Sequence, residues 1–554
     1  MSGTATTRHG LGVIIMAAGL GKRMQSKMGK VLHPVVGKPM VLYAVDLATR
    51  VGDAGIAVVV GHQGERVRAL IGGYATPVPV QTVEQTKQLG TGHAVKQARS
   101  VFDGGAGPAP AAYLILNGDT PLLTANTIDR LLETHRRDAA TVTILTARLP
   151  NPAGYGRVVR AQGAAAAEHA AVLKIVEDKD TTPDEAALNE INVGTYVVDG
   201  AFLFQALDRL RPNNAQGEYY LTDILAMAVA EGKRVSASTL ADAAEGLGVN
   251  TRAHLAEAEA GIRDRIRRRW LDAGVTMKDP SSTWIDAEVT IGRDTVLHPH
   301  VTLEGRTTVG EDCVIRSHVR LTDCTIQRGV EILDSCVLRE ATVEDESDIG
   351  PFTHLRPGSI VRSHGKVGNF VEMKKTELGE GAKANHLTYL GDATIGKGVN
   401  IGAGTITCNY DGVNKFKTVV EDDVFIGSDS QLVAPVRIGR GALIAAGTTV
   451  TQDVPAGALV IARTPQAVRP GWAAKRRAAA EAEKAGKAGK SSPKSSPATA
   501  ATKAAPVKPS AKPSSRSTGS TGSKTTSAKK PPARKTKVKV IAARAGSRTI
   551  TRRS

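Results

Sequence analysis

Two groups of residues in this 554-residue chain have types and spacings suited to chemistry. The first opens on an apolar run of strand length, Val13 to Ala18, that ends in Ala17-Ala18-Gly19-Leu20-Gly21-Lys22-Arg23-Met24, followed by Lys30 and the turn His33-Pro34. Glycines after a strand let backbone amides approach a phosphate, and Lys22, Arg23 and Lys30 can neutralise a triphosphate. The pattern lacks the third glycine of a dinucleotide fingerprint and the Gly-Lys-Ser/Thr of a P-loop. Such turns also arise for steric reasons alone, so the weight of this one comes from its company. That company is Gln88-Leu89-Gly90-Thr91-Gly92-His93-Ala94 at a helix start, Asn117-Gly118-Asp119 at a strand end, Gly154-Tyr155-Gly156-Arg157, Ile191-Asn192-Val193-Gly194 and Gly248-Val249-Asn250.

The second group lies further along: Asn369-Phe370-Val371-Glu372-Met373-Lys374-Lys375, then Ala384-Asn385-His386-Leu387-Thr388-Tyr389-Leu390-Gly391-Asp392, Asn400-Ile401-Gly402-Ala403-Gly404 and Cys408-Asn409-Tyr410-Asp411-Gly412. Singly, each polar residue reads as a satisfied turn residue. Together they offer an anion clamp in Arg356 and Lys374, a base of suitable intrinsic pKa in His386, and partners for sugar hydroxyls in Tyr389 and Asn400.

The elements that must carry the second group announce themselves by period. An aliphatic residue recurs every sixth position through Ile291, Leu297, Leu303, Val309, Ile315 and Leu321, then Ile349, Leu355, Val361 and Val367, then Ile426, Leu432, Ile438, Ile444 and Val450. Neither an α-helix nor a flat strand has that period. It suits a chain wound around a narrow prism, each face one short strand and one turn, three faces making a coil of roughly 18 residues and the stretch about nine coils. The first group sits in residues 11–250, where short apolar runs alternate with amphipathic ones, among them Val13–Ala17, Met40–Val51, Ile56–Gly61, Val80–Val83, Thr91–Phe102 and Tyr113–Leu116. That alternation predicts a mainly parallel sheet covered by helices, with ligands at the carboxyl ends of its strands. Between the two, Thr251–Ala273 places Leu255, Ile262, Ile266 and Trp270 on one helical stripe, and Arg263, Arg265, Arg267, Arg268 and Arg269 read as a solvated face.

Composition assigns the charge to one end. Of 72 Lys and Arg and 54 Asp and Glu, residues 471–554 hold 22 basic and only two acidic ones, so residues 1–470 are close to neutral. The chain's basicity therefore belongs to a Lys/Ala/Ser/Pro-rich tail, expected to be disordered and able at most to bind polyanions weakly. The four cysteines have no metal-ligand or CxxC spacing, which predicts reduced thiols. No apolar run reaches transmembrane length and no signal core opens the chain, so a cytoplasmic protein without membrane insertion is expected.

On these motifs the chain resembles the sugar-nucleotide pyrophosphorylases, and specifically the bacterial bifunctional N-acetylglucosamine-1-phosphate uridyltransferase/glucosamine-1-phosphate acetyltransferases, over roughly residues 11–470. The resemblance implies an α/β Rossmann-like nucleotidyltransferase domain at 1–250, a linker helix at 251–274 and an all-β, left-handed parallel β-helix acetyltransferase domain of hexapeptide repeats at 275–470. The tail follows at 471–554. It implies that Met16, Ala17, Ala18, Gly19, Arg23 and Lys30 hold the nucleotide, that Gln85, Gly90 and Thr91 recognise uracil, and that Gly156, Glu177 and Asn192 contact the sugar. Asp119 and Asn250 match the Mg²⁺ ligands; a strand-end cap is the plain alternative for Asp119. One carboxylate and one amide oxygen suffice for a hard cation in phosphoryl transfer, where placement and charge neutralisation outweigh any nucleophilic side chain. In the repeat region, His386 matches the general base that takes a proton from the attacking amine. Arg356 and Lys374 match the phosphate contacts, Tyr389 and Asn400 the sugar contacts, and Ala403, Asn409, Tyr410, Ser428, Ala446 and Arg463 the acetyl-CoA groove. UTP and acetyl-CoA are the implied co-substrates, and a homotrimer the implied assembly.

Three positions depart from the family pattern. Lys22 stands where Thr is usual, Gly29 where Pro precedes the lysine, and Asn385 where Gly is frequent. The glycine at 29 is expected to loosen its loop, and Glu372 is a candidate to orient His386. Two competing readings are a single-activity nucleotidyltransferase whose coils only assemble or sense, and a nucleic-acid binder led by its tail. The polar set around His386 opposes the first and the neutral body opposes the second.

Overall fold

In a computed structural model the described residues are 10–103, 109–161 and 171–488. The first region is a nine-stranded sheet: β1 Leu11–Ala17, β2 Ile56–Val60, β3 Val80–Glu84, β4 Ala112–Asn117, β5 Val142–Arg148, β6 Arg157–Arg160, β7 Val172–Val176, β8 Glu190–Asp199 and β9 Val235–Thr239. The strands run in the order β9-β5-β8-β4-β1-β2-β3, with the β6–β7 hairpin joined to β8. β1 pairs in parallel with β2 and β4, and only β8 and the hairpin run antiparallel. Val13, Ile14 and Ile15 are fully buried because helices cover both faces, which is why β1 reads as an unbroken apolar run. Where β8 meets β5 the register shifts between Asn192 and Tyr196, a bulge spanned by the Asn192 side chain, whose Nδ2 donates to the Tyr196 hydroxyl at 2.7 Å and whose Oδ1 accepts from Gly194 N at 3.0 Å.

The linker helix spans Arg252–Asp272, started by the Thr251 hydroxyl accepting from the His254 amide. It buries Ala258, Ile262 and Ile266 as its apolar stripe requires. Of the five arginines expected on a solvated face, Arg268 and Arg269 are exposed, while Arg263, Arg265 and Arg267 are not. Arg267 is itself buried and donates to the carbonyls of Pro280 and Ser281, Arg265 donates to Leu122 O, and the Arg263 guanidinium lies 3.8 Å from the centre of the Trp284 ring. These cations fasten the helix to its neighbours on either side, because a planar guanidinium can bond a carbonyl in its plane and stack on an aromatic face.

From Thr276 the chain winds through three parallel sheets of 11, 10 and 9 strands, ending at Leu459–Val460. The hexad residues pair coil on coil, Ile291 with Val309 and Leu297 with Ile315, and all of them point into one core. The prism is thus a β-helix of about ten coils rather than nine, because it starts one turn before the first clear hexad. Its core is continuous with the linker's Ile262 and Ile266 and with Met24, Val35 and Met40 of the nucleotidyl region. Coils turn through residues of positive φ. At one corner these are His300, His318, Ser335, Phe352, Phe370 and Leu387, at φ between 46° and 64°. Bulky side chains strain a backbone there, where Gly, Asn or Asp is usual.

After the prism, Trp472–Ala488 forms an α-helix, which corrects the expectation of disorder across the whole of 471–554. Its run of Ala, Lys, Arg and Glu has high intrinsic helix propensity and no proline. The Lys-rich stretch 529–540 lies outside the described residues. Among the described residues no helix is long and apolar enough to cross a membrane, and the four cysteines are free thiols.

Candidate active sites

The nucleotide-side residues gather where β1 and β4 end. Met16 pairs with Asn117 in the last register of these neighbours, so the loops after both strands open side by side. The Lys30 ammonium contacts the Asp119 carboxylate and donates to Asn250 Oδ1 at 3.2 Å, while Val249 N donates to Asp119 O at 2.8 Å. Three residues far apart in sequence thus share one point. Gly21 is required here: its φ is +61° and an added Cβ would lie 2.6 Å from that of Lys30. Lys22 and Arg23 are exposed at the rim. Gly29 does not loosen the loop as expected, because its N–H donates to Gln63 Oε1 at 3.0 Å and Gln63 Nε2 donates to Lys27 O at 2.7 Å. A proline at 29 would have no such donor.

Gln85 is buried after β3, its Nε2 3.1 Å from Gly90 O. Gly90, at φ +105°, admits no Cβ because Tyr219 backbone atoms lie 2.7 and 2.8 Å from where it would be. Thr91 Oγ1 accepts from Leu221 N at 3.0 Å and Gly92 N donates to Tyr219 O at 2.8 Å, so the Gly90–Gly92 turn is clamped against residues 219–221. Gly156, Glu177 and Asn192 also come together: Asn192 N donates to Gly156 O at 2.8 Å, and Glu177 Oε2 lies 3.5 Å from where a Cβ on Gly156 would sit. Burial pushes the Glu177 carboxyl above the ordinary range, opposed by its bond from Thr222 Oγ1 at 3.2 Å.

The second group spreads over successive coils. Asn369 pairs with His386, Glu372 with Tyr389, Lys374 with Gly391 and Lys383 with Asn400. Between Cys408 and Thr418 the six-residue period breaks into a projecting loop, pinned where Tyr410 bridges Lys415 and where Asn409 Nδ2 donates to Asp392 Oδ2 at 2.5 Å. That loop brings Lys415 beside Lys374, and repulsion from Lys415, with a smaller part from Arg356, lowers the Lys374 pKa. Three cations therefore converge, one more than the sequence disclosed. Glu372 does not orient His386: it is bound to the Arg356 guanidinium at 2.8 Å, while the exposed His386 ring takes no hydrogen bond among the described residues. Asn385 keeps its place, with its carbonyl packed where a side chain on Gly368 would otherwise sit.

Ala403, Ser428 and Ala446 stack on consecutive coils. Asp429 N donates to Ala403 O at 2.7 Å, Gly447 N donates to Ser428 O at 2.8 Å, and the Arg463 guanidinium caps Ala446 O. Among the described residues no hydrogen bond joins this column to the Asn409–Tyr410 loop. Cys408 is a poor candidate for an acyl carrier, since burial pushes its thiol up.

The largely parallel sheet with Lys30, Asp119 and Asn250 beside its strand ends, joined to a hexapeptide prism carrying Arg356, Lys374 and Lys415, has the architecture of a nucleotidyltransferase fused to an acyltransferase. Residues 12–279 match the nucleotidyl transferase family, 281–378 the GMPPB C-terminal domain, and 417–452 the bacterial transferase hexapeptide in six repeats. Among curated relatives, the bifunctional protein GlmU of Pelobacter propionicus is 49% identical over 83% of this chain and 97% of its own. That of Geobacter metallireducens is 47% identical over 84% and 99%, and that of Shouchella clausii 46% over 82% and 96%. The chain belongs to the GlmU family, and it is a bifunctional transferase of acetyl and uridylyl groups.

Proposed function

We propose that the β-helix site acetylates glucosamine 1-phosphate and that the sheet site then converts the product and UTP to UDP-N-acetylglucosamine and pyrophosphate. The observation that carries this reading is the presence in one chain of two separate charge clusters, Lys30–Asp119–Asn250 and Arg356–Lys374–Lys415. In the first step the sugar amine attacks the thioester carbonyl of acetyl-CoA, His386 takes the amine proton, and the coenzyme A thiolate leaves. Arg356, Lys374 and Lys415 hold the sugar phosphate, Tyr389 and Asn400 its hydroxyls, and the Ala403–Ser428–Ala446 column with Asn409, Tyr410 and Arg463 holds the coenzyme. In the second step a phosphate oxygen of N-acetylglucosamine 1-phosphate attacks the α-phosphorus of UTP and pyrophosphate leaves. Lys30 and Arg23 balance the triphosphate, the Met16–Gly19 loop approaches it, Gln85, Gly90 and Thr91 face the base, and Gly156, Glu177 and Asn192 face the sugar. Asp119 and Asn250 fit a divalent cation, since their oxygens already share one ammonium. Mg²⁺ held there would supply charge neutralisation and orient the phosphates.

The domain limits follow: 1–250 for uridylyl transfer, 251–274 for the linker and 275–470 for acetyl transfer. A homotrimer is supported by the apolar corner beside His386, where Phe352 and Phe370 stack in the open at a centroid distance of 5.2 Å and Leu387 is 63% exposed. Free thiols accord with a cytoplasmic enzyme, and the Lys-rich sequence beyond residue 488 accords with weak binding to polyanions. The test is a single assay with glucosamine 1-phosphate, acetyl-CoA, UTP and Mg²⁺. UDP-N-acetylglucosamine should form with wild-type protein. His386→Ala should form it only when supplied with N-acetylglucosamine 1-phosphate. Equal product from both sugars in that variant refutes the assignment.

A further inference from the structure

Gln85 has a second partner that the nucleotide site does not explain. Its amide nitrogen lies 3.1 Å from Gly90 O and 3.0 Å from His93 Nδ1, so both of its N–H donors are engaged by atoms behind the cleft. Its Oε1 takes no partner among the described residues and is the amide's remaining polar function. The Gly90 carbonyl forbids the flipped amide, because two acceptors would then face each other. Among the described residues the imidazole of His93 is the group set to receive the other hydrogen. Burial, helped by the Lys96 charge, lowers the His93 pKa and favours the neutral ring; in the tautomer with its hydrogen on Nε2, Nδ1 accepts from Gln85. On the far side Gln97 Nε2 donates to the His93 carbonyl at 3.1 Å and lies 3.3 Å from the ring Nε2, a longer contact than the 3.0 Å from Gln85 to Nδ1, so the shorter contact marks Nδ1 as the accepting nitrogen.

We propose that His93 is the positioning residue that turns Gln85 acceptor-first toward the base and thereby selects uracil over cytosine. This rests on the reading of Gln85 as the base-recognising residue. An acceptor pointing at the pairing edge bonds the N3–H of uracil and repels the unprotonated N3 of cytosine, and buried polar sites discriminate strongly on such mismatches. Without the imidazole acceptor, the second N–H of Gln85 must either stay unpaired in a buried place or turn the amide toward the cleft. In the second case a donor meets cytosine N3.

The experiment compares kcat/KM for UTP and CTP in the full chain, for wild type, His93→Phe, His93→Asn and Gln85→Ala, with acetyl transfer in the same samples reporting the fold. His93→Phe keeps bulk without an acceptor, and the UTP-to-CTP ratio should fall about tenfold, the worth of one hydrogen bond. His93→Asn puts an amide oxygen at the Nδ1 position and should hold the ratio within about threefold of wild type. Should the Phe variant not fold, His93→Ala gives the same reading. A ratio unmoved in Gln85→Ala overturns the base-recognising role and the proposal with it. A ratio that collapses in Gln85→Ala but holds in His93→Phe or His93→Ala overturns the role of His93 alone.

Discussion

Lys30 and His386 stand at the centres of the two proposed sites, and their surroundings differ in kind. Lys30 is drawn between a carboxylate and an amide oxygen from loops 89 and 220 residues away, on a short turn beside the ends of a sheet's strands. His386 lies on the outside of a prism, on a four-residue strand, with no bond to its ring among the described residues and with exposed apolar corner residues beside it. A sheet whose strands end at one edge can converge loops on a point, whereas a prism offers only a surface. The prism can align a column of groups, such as Ala403, Ser428 and Ala446, but closing a site over that column takes another surface.

That contrast predicts separable failures. The largest is chemical: His386→Ala should cut acetyl transfer by about a hundredfold to ten-thousandfold, the usual weight of a general base, and leave uridylyl transfer within about twofold in a coupled pyrophosphate assay. Next is assembly. Phe352→Glu with Phe370→Glu should lower the mass seen by light scattering to that of a single chain and reduce acetyl transfer at least tenfold, while uridylyl transfer persists; a trimer that survives the double change breaks the comparison. A smaller effect concerns pH. Burial, ahead of nearby Arg252, Lys96 and Arg136, lowers the pKa of His33, His93 and His135, all in the nucleotidyl region. The unfolded chain then binds more protons than the folded one below about pH 6.5, so stability falls as pH drops, by up to about 1.4 kcal/mol per pH unit for each histidine. Retained uridylyl transfer after acid incubation should decline before retained acetyl transfer. The smallest change is expected of Gly29→Pro. Its φ of −57° suits proline, and the lost bond to Gln63 is offset by a less flexible unfolded chain, so the KM for UTP should shift by less than about threefold.

Sequence made the architecture legible because each signal had one cause. An inward aliphatic at every sixth residue has no use outside a three-faced coil, and Ile291 through Val450 all point into the core. β1 is apolar throughout because it is covered on both sides. What stayed hidden depends on contacts between distant segments. Lys415 comes beside Lys374 only because the Cys408–Thr418 loop folds back, and nothing local marks it. Gln63 holds the Gly29 amide from 34 residues away, so the departure from proline looked like a loss. The corner residues Phe352 and Phe370 occupy a conformation that turn rules reserve for small residues, and so they gave no turn signal. The linker arginines carry charge on a helix whose far side is also covered, a circumstance periodicity alone does not report.

The stacked coils also make the prism a ruler. Each coil adds one strand spacing, about 4.8 Å, and the strand of Tyr389 stands six steps along its sheet from that of Trp284, next to the linker. The coil of Tyr389, where acetyl transfer is proposed, is thus held roughly 29 Å along the axis from the linker end of the prism. A change of one whole coil would move that level by a fixed increment and leave every aliphatic facing inward, whereas a partial coil would turn them out. The offset between the two workplaces of this enzyme is a quantity that can change only in integers.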